Sequence, residues 1–235
     1  MNKVIFISLI LSFLFTSCTD SVKAEGDAGL AQDFKVETFD AISADGSFKL
    51  ILIPNDSSYV SVQTHRNLIE NMNIYVQNKT LHIAENKPVE NFESYVIYLY
   101  YHQDLKEISI ADKILLESAT SLNFDNFQLK TSDASMVEQF SINAKEVEIT
   151  ALDKSEIILT GQASTLKLKA KAYAKLDLND LDISVLEVDL AGDAHVKAKI
   201  DKKLSGRILQ NSTLTYMGNP VKDVEVKENG EILKQ

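Results

Sequence analysis

The sequence is poor in several residue types, and each scarcity excludes a class of protein. Its 235 residues include no tryptophan, one cysteine, three prolines and eight glycines. A single cysteine cannot form an intramolecular disulfide, so a disulfide-stapled small domain is excluded. Few glycines and prolines, together with 45% hydrophobic residues, exclude collagen and low-complexity disorder. The chain is therefore globular and has enough apolar material for a large core.

Positive charge is also scarce. The sequence has 24 lysines and arginines against 34 aspartates and glutamates, and its formal net charge is −10. Binding to nucleic acid without sequence preference needs clustered lysines and arginines that face the phosphates. We therefore expect no nucleic-acid partner.

Motifs for catalysis and cofactor binding are missing from the sequence. The four histidines, His65, His82, His102 and His195, have no metalloprotease spacing. A nucleophile elbow, a phosphate-binding glycine loop and a dinucleotide-binding fingerprint are likewise absent. We therefore expect no cofactor and no metal-dependent catalysis.

The first 18 residues are typical of a signal peptide. An apolar run over residues 4–15 follows Lys3 and is too short to span a bilayer, which needs about 20 apolar residues. The cysteine directly after this segment resembles the lipidation site of bacterial lipoproteins. This resemblance predicts a lipoprotein signal peptide at residues 1–17 and a lipid on Cys18. An ordinary secretory signal and an uncleaved anchor are the alternatives.

Residues 18–33 are polar and small and show neither strand nor helix periodicity. We expect a flexible tether that holds the folded domain close to a membrane, because acyl chains on Cys18 supply the attachment. The expected location is the cell envelope, with the lipid in the outer membrane. The sequence leaves the periplasmic and surface sides open.

The remaining chain repeats about every 20 residues. An apolar residue recurs at Ile108, Leu129, Ile149, Leu168 and Val188. Six positions further along, the residues are mostly small, and eight positions further they are again apolar. Apolar and polar residues alternate in between, as in strands with one buried face. Strands that recur in register predict an all-β fold, a parallel β-helix, with a β-sandwich as the alternative.

We expect one β-helix domain over residues 34–235. Its first coils, residues 34–104, alternate with irregular spacing and are expected to cap the ladder of strands. Regular coils of about 20 residues cover residues 105–220. A short C-terminal tail covers residues 221–235.

Several segments resemble one known family. The segment Phe39-Asp40-Ala41-Ile42, the following Gly46-Ser47-Phe48-Lys49-Leu50 and the closing Leu214-Thr215-Tyr216-Met217-Gly218-Asn219-Pro220 are similar to the putative auto-transporter adhesin, head GIN domain family of Bacteroidetes and related bacteria. The resemblance covers about residues 39–221. It implies a secreted protein or lipoprotein with a right-handed parallel β-helix, and an adhesin role. The family's glycine at the coil corner is kept here only at Gly192.

One candidate site is a column of aspartates. Asp112, Asp133 and Asp153 occupy the same position in successive coils, four residues after the recurring apolar residue. When carboxylates are stacked this closely, either they do not all ionise together or they bind a cation such as calcium. The alternative is that aspartate tolerates the backbone of a tight corner.

A second candidate is an aromatic strand. In a regular strand, Tyr98, Tyr100 and His102 share the face opposite Ile97 and Leu99. An exposed row of aromatic rings could stack on sugar rings. The alternative is that these tyrosines only favour strand formation.

The sequence therefore predicts a lipid-anchored, non-catalytic envelope protein that presents a β-helix surface to a glycan or protein ligand. A carbohydrate-active enzyme and a purely structural envelope protein are the alternatives. The enzyme is disfavoured because the only guanidinium groups, on Arg66 and Arg207, are expected at opposite ends of the ladder.

Overall fold

The computed structural model describes residues 20–102 and 104–235. The predicted signal peptide and Cys18 lie outside these residues. The elements, in chain order, are β1 (Val22–Lys23), β2 (Leu30–Lys35), β3 (Ala41–Gly46), β4 (Lys49–Pro54), β5 (Tyr59–Thr64), α1 (Arg66–Glu70), β6 (Met72–Gln77), β7 (Thr80–Glu85), β8 (Val89–Glu90), β9 (Val96–Tyr101), β10 (Glu107–Asp112), β11 (Leu115–Ser118), β12 (Leu122–Thr131), β13 (Met136–Ala151), β14 (Glu156–Ala170), β15 (Lys175–Leu190), β16 (His195–Ile208), β17 (Thr213–Met217), β18 (Val221–Val226) and β19 (Glu231–Lys234).

The predicted parallel β-helix is confirmed. Strands β10 and β12 to β16 pair in parallel with the strand one coil later, and each coil takes about 20 residues. The recurring apolar residues form one stack, in which Leu129 pairs with Ile108 on one side and Ile149 on the other. Leu168 and Val188 continue this stack. Inward side chains of successive coils thus form one continuous buried core, stabilised by about 25 cal/mol per Å² of apolar surface removed from water.

The corners between strands have a left-handed backbone. Asp112, Asp133 and Asp153 have φ of 61°, 58° and 57°, and Gly192 has 76° at the same corner of a later coil. Stacked corners are joined by backbone hydrogen bonds, such as the one from the Lys154 amide to the Asp133 carbonyl (2.8 Å). The column predicted from the sequence therefore exists. Its positions favour aspartate and glycine because these residues adopt positive φ at low cost.

The N-terminal strands do not form coils in chain order. The pair β3 and β4 lies between β7 and β9 on one side and β10 and β11 on the other. Strands β5 and β6 are antiparallel to β9 and β7, and β2 is antiparallel to β5. The expectation of irregular first coils over residues 34–104 thus needs correction, because alternation of apolar and polar residues is the same in parallel and antiparallel strands. We call these N-terminal strands the cap of the β-helix.

The expectation of a flexible tether up to residue 33 is wrong from residue 22 onward. Strand β1 pairs in parallel with β8, and β2 covers the edge of β5. The Asn67 side chain donates to the Lys23 carbonyl (2.7 Å) and accepts from the Glu25 amide (3.1 Å). The buried His65 ring contacts the Gly26 carbonyl through Nδ1 (3.0 Å). A two-residue strand has no detectable period, so the sequence showed no sign of this docking.

The expected C-terminal tail is also wrong. Residues 221–234 form a further coil, in which β18 pairs with β16 and β19 pairs with β17. Charged residues at inward positions, Lys222 and Lys234, interrupt the alternation that marks the earlier coils.

Candidate functional site

A groove follows the short middle segment of each coil and runs parallel to the helix axis. It extends from Phe124 to Gly218 and encloses about 760 Å³. Its lining comes from the same positions of successive coils, so the repeat of the fold builds it. We call this feature the axial groove.

The floor of the axial groove is formed by residues that stack in register. Phe124 pairs with Ala144, Ala144 with Ala163, and Ala163 with Ile183, which pairs with Ile200. The two alanines are buried and small, whereas Phe124 at one end is large and half-buried. The Phe124 ring stacks on the buried Phe127 ring at 4.2 Å between centroids and 9° between planes. Packing therefore fixes the aromatic ring at the entrance of a shallow depression.

Two rows of polar side chains flank this floor. Each member precedes or follows a floor residue by one position, and the members that precede the floor residues are paired from coil to coil. The first row consists of Asn143, Gln162, Asp182 and Lys199, and the second of Lys145, Ser164, Ser184 and Asp201. Successive rungs of a parallel sheet lie about 4.8 Å apart. The axial groove thus repeats its polar groups with the spacing of the coils.

The charges along the axial groove balance. Lys199 forms an ion pair with Asp182, and Lys145 forms one with Asp125, each with an N···O distance of 2.7 Å. The hydrogen bond to each partner carboxylate raises the pKa of both lysines. The four charged lining residues comprise two lysines and two aspartates, so the lining carries no formal net charge.

Some polar groups of the axial groove are free. Asn143 donates to Ser121 Oγ (3.2 Å) and to Asn123 Oδ1 (3.3 Å). Within residues 20–102 and 104–235, the side chains of Gln162, Ser164 and Ser184 have no hydrogen-bond partner. Their donors and acceptors face the open groove and are available to a ligand.

The structure separates the candidate aromatic residues. Tyr98 and Tyr100 lie half-buried on the outward face of β9, opposite the buried Ile97 and Leu99. Tyr100 stacks on Tyr59 at 4.3 Å.

His102 lies beyond the end of that strand. Its Nδ1 is 3.1 Å from Ser58 Oγ, and the ring lines a second cavity of about 550 Å³. This cavity shares Phe124 with the axial groove. His102 therefore belongs to the approach to the groove, whereas the two tyrosines lie on a neighbouring face.

In the N-terminal strands Gly46 takes the position of the aspartate column, and two further carboxylates lie close to it. Asp45 lies beside Asp112, and its pKa is raised by burial first and then by the neighbouring carboxyl. Burial likewise raises the pKa of Glu85, although its Oε1 accepts a hydrogen bond from the Ser47 amide (3.0 Å). Among the residues that the structure describes, no group of three or more histidine, cysteine, aspartate or glutamate side chains could hold a metal ion. The column is explained by the backbone conformation of the corner.

The axial groove was not identified from the sequence. Its polar rows fall on ordinary outward positions, and nothing in the alternation distinguishes them from a solvated strand face. A sign was present in the floor, where the stacked residue changes from Phe124 to the small Ala144 and Ala163 and then to Ile183. Aligning the coils by position would have shown this change in side-chain size.

Comparison with protein families gives one match. The family model described as putative auto-transporter adhesin, head GIN domain, matches residues 38–220. A comparison with curated proteins finds no match.

Several solved structures from Bacteroides and Parabacteroides have a similar fold. A putative adhesin from Bacteroides fragilis has a TM-score of 0.81 at 17% identity, covering 92% of this chain and 100% of the other. A putative lipid binding protein from Parabacteroides distasonis has a TM-score of 0.73 at 15% identity, with 92% and 100% covered. A putative adhesin from Parabacteroides merdae has a TM-score of 0.71 at 16% identity, with 92% and 99% covered. At these identities the similarity establishes the fold.

Proposed function

Because the chain belongs to the putative auto-transporter adhesin, head GIN domain family, we propose that it is a non-catalytic, adhesin-type binding protein of the cell envelope. The observation that carries this proposal is the axial groove. It combines a rigid floor, built into the core of the β-helix, with free polar groups on both sides. Concave sites with an apolar floor and a few placed polar groups are typical of ligand binding.

A binding role is favoured over catalysis by where the carboxylates lie. Asp133 and Asp153 of the aspartate column lie at coil corners and do not line the axial groove. Within the groove, Asp182 is held by Lys199 at 2.7 Å. The solved structures with this fold are described as putative adhesins or as a putative lipid binding protein.

The proposal includes a lipid anchor at Cys18. Only residues 19–21 separate this cysteine from β1, which is docked on the cap. An extended chain spans at most about 3.6 Å per residue, so the lipid lies within about 15 Å of β1. The capped end of the β-helix then faces the membrane, and the later coils with the groove project away from it. Among the described residues, no helix has the length and hydrophobicity of a membrane span.

A binding screen tests the adhesin role. The mature chain is probed against arrays of glycans, immobilised envelope and matrix proteins, and phospholipid vesicles. Saturable binding to one class, without change to the bound molecule, is expected. Depolymerisation of a polysaccharide that is lost in the Asp182→Asn variant would instead establish an enzyme, and absence of binding to all three classes would overturn the adhesin role.

Cell fractionation tests the anchor. Replacement of Cys18 by Ala is expected to release the protein from the membrane fraction, and unchanged fractionation would refute lipidation at this residue. Protease added to intact cells is expected to digest a surface adhesin. Full protection would place the protein in the periplasm and contradict adhesion to external surfaces.

A further inference from the structure

We propose that the axial groove binds an uncharged glycan chain that lies along the helix axis, with the ring of Phe124 as a stacking surface. This inference depends on the proposed binding function and specifies its ligand. Three features support it: the length of the groove, the chemistry of its polar rows, and the pairing of its strands on both sides.

The geometry requires an elongated ligand. Six stacked positions, from Phe124 through Ala144, Ala163, Ile183 and Ile200 to Gly218, form the length of the groove. With about 4.8 Å between rungs, they span about 24 Å. A ligand that contacts several rungs through the same kind of group must itself be long and repetitive. A linear polymer meets this requirement and a compact small molecule does not.

The polar rows favour a neutral ligand rich in hydroxyl groups. Gln162, Ser164 and Ser184 offer an amide and two hydroxyls that both donate and accept hydrogen bonds. The lysines of the groove are already paired with carboxylates at 2.7 Å, so a charged polymer would have to break these pairs. Sugar hydroxyls also donate and accept, and they complement such a surface without displacing any charge.

The aromatic ring supplies the apolar contact. Phe124 lines the axial groove, the cavity beside His102 and a third cavity of about 490 Å³ next to Lys106. Its stacking on Phe127 holds the ring in place. A rigid aromatic surface binds the apolar face of a sugar ring at little entropic cost.

The backbone disfavours a peptide. Extended peptides bind most effectively by adding a strand to a free sheet edge. Along the groove, the strands β13, β14 and β15 are paired on both sides by the coils before and after them. A peptide in the groove would therefore gain no main-chain ladder.

Affinity electrophoresis in native gels provides the test. The probes are three neutral polysaccharides, xyloglucan, galactomannan and dextran, with polygalacturonate as the anionic counterpart. We expect retardation by at least one neutral polysaccharide and none by polygalacturonate. Oligosaccharides of that polysaccharide should bind more tightly as they lengthen, until they span the groove.

Two matched variants locate the site. Ser164→Trp fills the groove from its exposed row and is expected to weaken binding about tenfold or more, because it blocks the floor. Gln128→Trp places the same side chain on an exposed position outside the groove and should leave binding unchanged. Phe124→Leu keeps the packing apolar and should weaken binding by removing the ring.

The outcomes separate the two proposals. Binding to a protein or to vesicles without binding to any neutral polysaccharide would overturn the glycan assignment while the adhesin role stands. Glycan binding that Ser164→Trp does not weaken would overturn the assignment to the groove. A chain that degrades the polysaccharide would instead overturn the proposed function itself.

Discussion

Single residues at the coil corners decide whether the coils can stack. Gly192 has a φ of 76°, and a Cβ at this position would lie 2.8 Å from the backbone nitrogen of Ala172. Ala172 occupies the equivalent corner one coil earlier with a φ of 57°. A left-handed backbone costs an ordinary residue roughly 1–2 kcal/mol, so this corner already contains one unfavourable residue.

Substitution at these two corners should have opposite effects. Gly192→Ala adds both the left-handed strain and the close contact, and is expected to destabilise the protein by at least about 1–2 kcal/mol. Ala172→Gly removes strain and should be neutral or stabilising, although glycine is more flexible in the unfolded chain. Thermal unfolding of both variants checks this. Equal melting temperatures for the two variants would contradict the role assigned to the corner.

The carboxyl pair at Asp45 predicts a pH dependence. The pKa of Asp45 is raised above 3.8 in the folded state, by burial and by Asp112. Below the unfolded pKa both states are protonated, and replacing Asp45 by Asn changes little. As the pH rises through the folded pKa, ionised Asp45 increasingly destabilises the folded state, so the benefit of Asp45→Asn is complete at neutral pH.

The expected size of this benefit is small but measurable. Asp45 lies at an exposed position, so screening by water keeps the cost of the like charges below about 1 kcal/mol. A change of 1 kcal/mol shifts the melting temperature by about 2–4 °C in a domain of this size. Melting curves of Asp45→Asn and of the exposed control Asp223→Asn, recorded from pH 3 to pH 7, test it. If the gain in melting temperature is largest at acidic pH, the predicted direction of the pH dependence is wrong.

At the scale of elements, the docked N-terminal strand depends on few contacts. Strand β1 is held by backbone hydrogen bonds, which the Val22 amide donates to the Pro88 carbonyl (2.8 Å) and the Ala24 amide to the Glu90 carbonyl (3.3 Å). The side chain of Asn67 adds two more hydrogen bonds. Replacing Asn67 by Ala removes two of these hydrogen bonds. We expect faster trypsin cleavage after Lys23, while the melting temperature of the domain stays unchanged, because the core is not affected.

The matched control is Asn73→Ala, an exposed asparagine on β6 that has no contact with β1. Cleavage after Lys23 should proceed in this variant as in the natural chain. If Asn67→Ala is cleaved no faster than Asn73→Ala, the Asn67 side chain does not hold this strand.

The elements also show where sequence reasoning succeeds. A series such as Leu129, Ile149 and Leu168 gives both the coil length and the register, because every coil must bury the same position. The same alternation cannot assign a direction to β5 or β6, since antiparallel strands bury every second residue as well. The axial groove escapes detection because it depends on how side-chain sizes at Phe124, Ala144 and Ala163 compare across coils, which no single strand contains.

For the whole molecule, the coil formed by β18 and β19 has no further coil stacked on it among the described residues. Strands β18 and β19 pair on one side only within the described residues, and Val226 and Leu233 are 40% and 49% exposed. Lys222 pairs with the buried Leu204, and Lys234 with the buried Tyr216, so both lysines take inward positions above the core. The Lys222 Nζ lies 5.6 Å from the centre of the Tyr216 ring, and Lys234 donates to Asn219. Inward-pointing charges on an edge strand oppose pairing with another chain.

This arrangement predicts that two lysines keep the molecule monomeric. In the double variant Lys222→Val and Lys234→Val, the edge retains its free backbone groups and gains an apolar surface that continues the core. Two copies can then meet through the same end, and such an interface closes as a two-fold dimer instead of growing into a filament. Light scattering coupled to size exclusion should show a monomer for the natural chain and a concentration-dependent dimer for the variant.

The control variant is Lys202→Val with Lys203→Val, which removes the same charge from exposed positions one coil earlier and should stay monomeric. If the Lys222→Val, Lys234→Val variant remains monomeric at its highest soluble concentration, the two lysines are not what prevents pairing. The backbone edge itself would then be unable to pair.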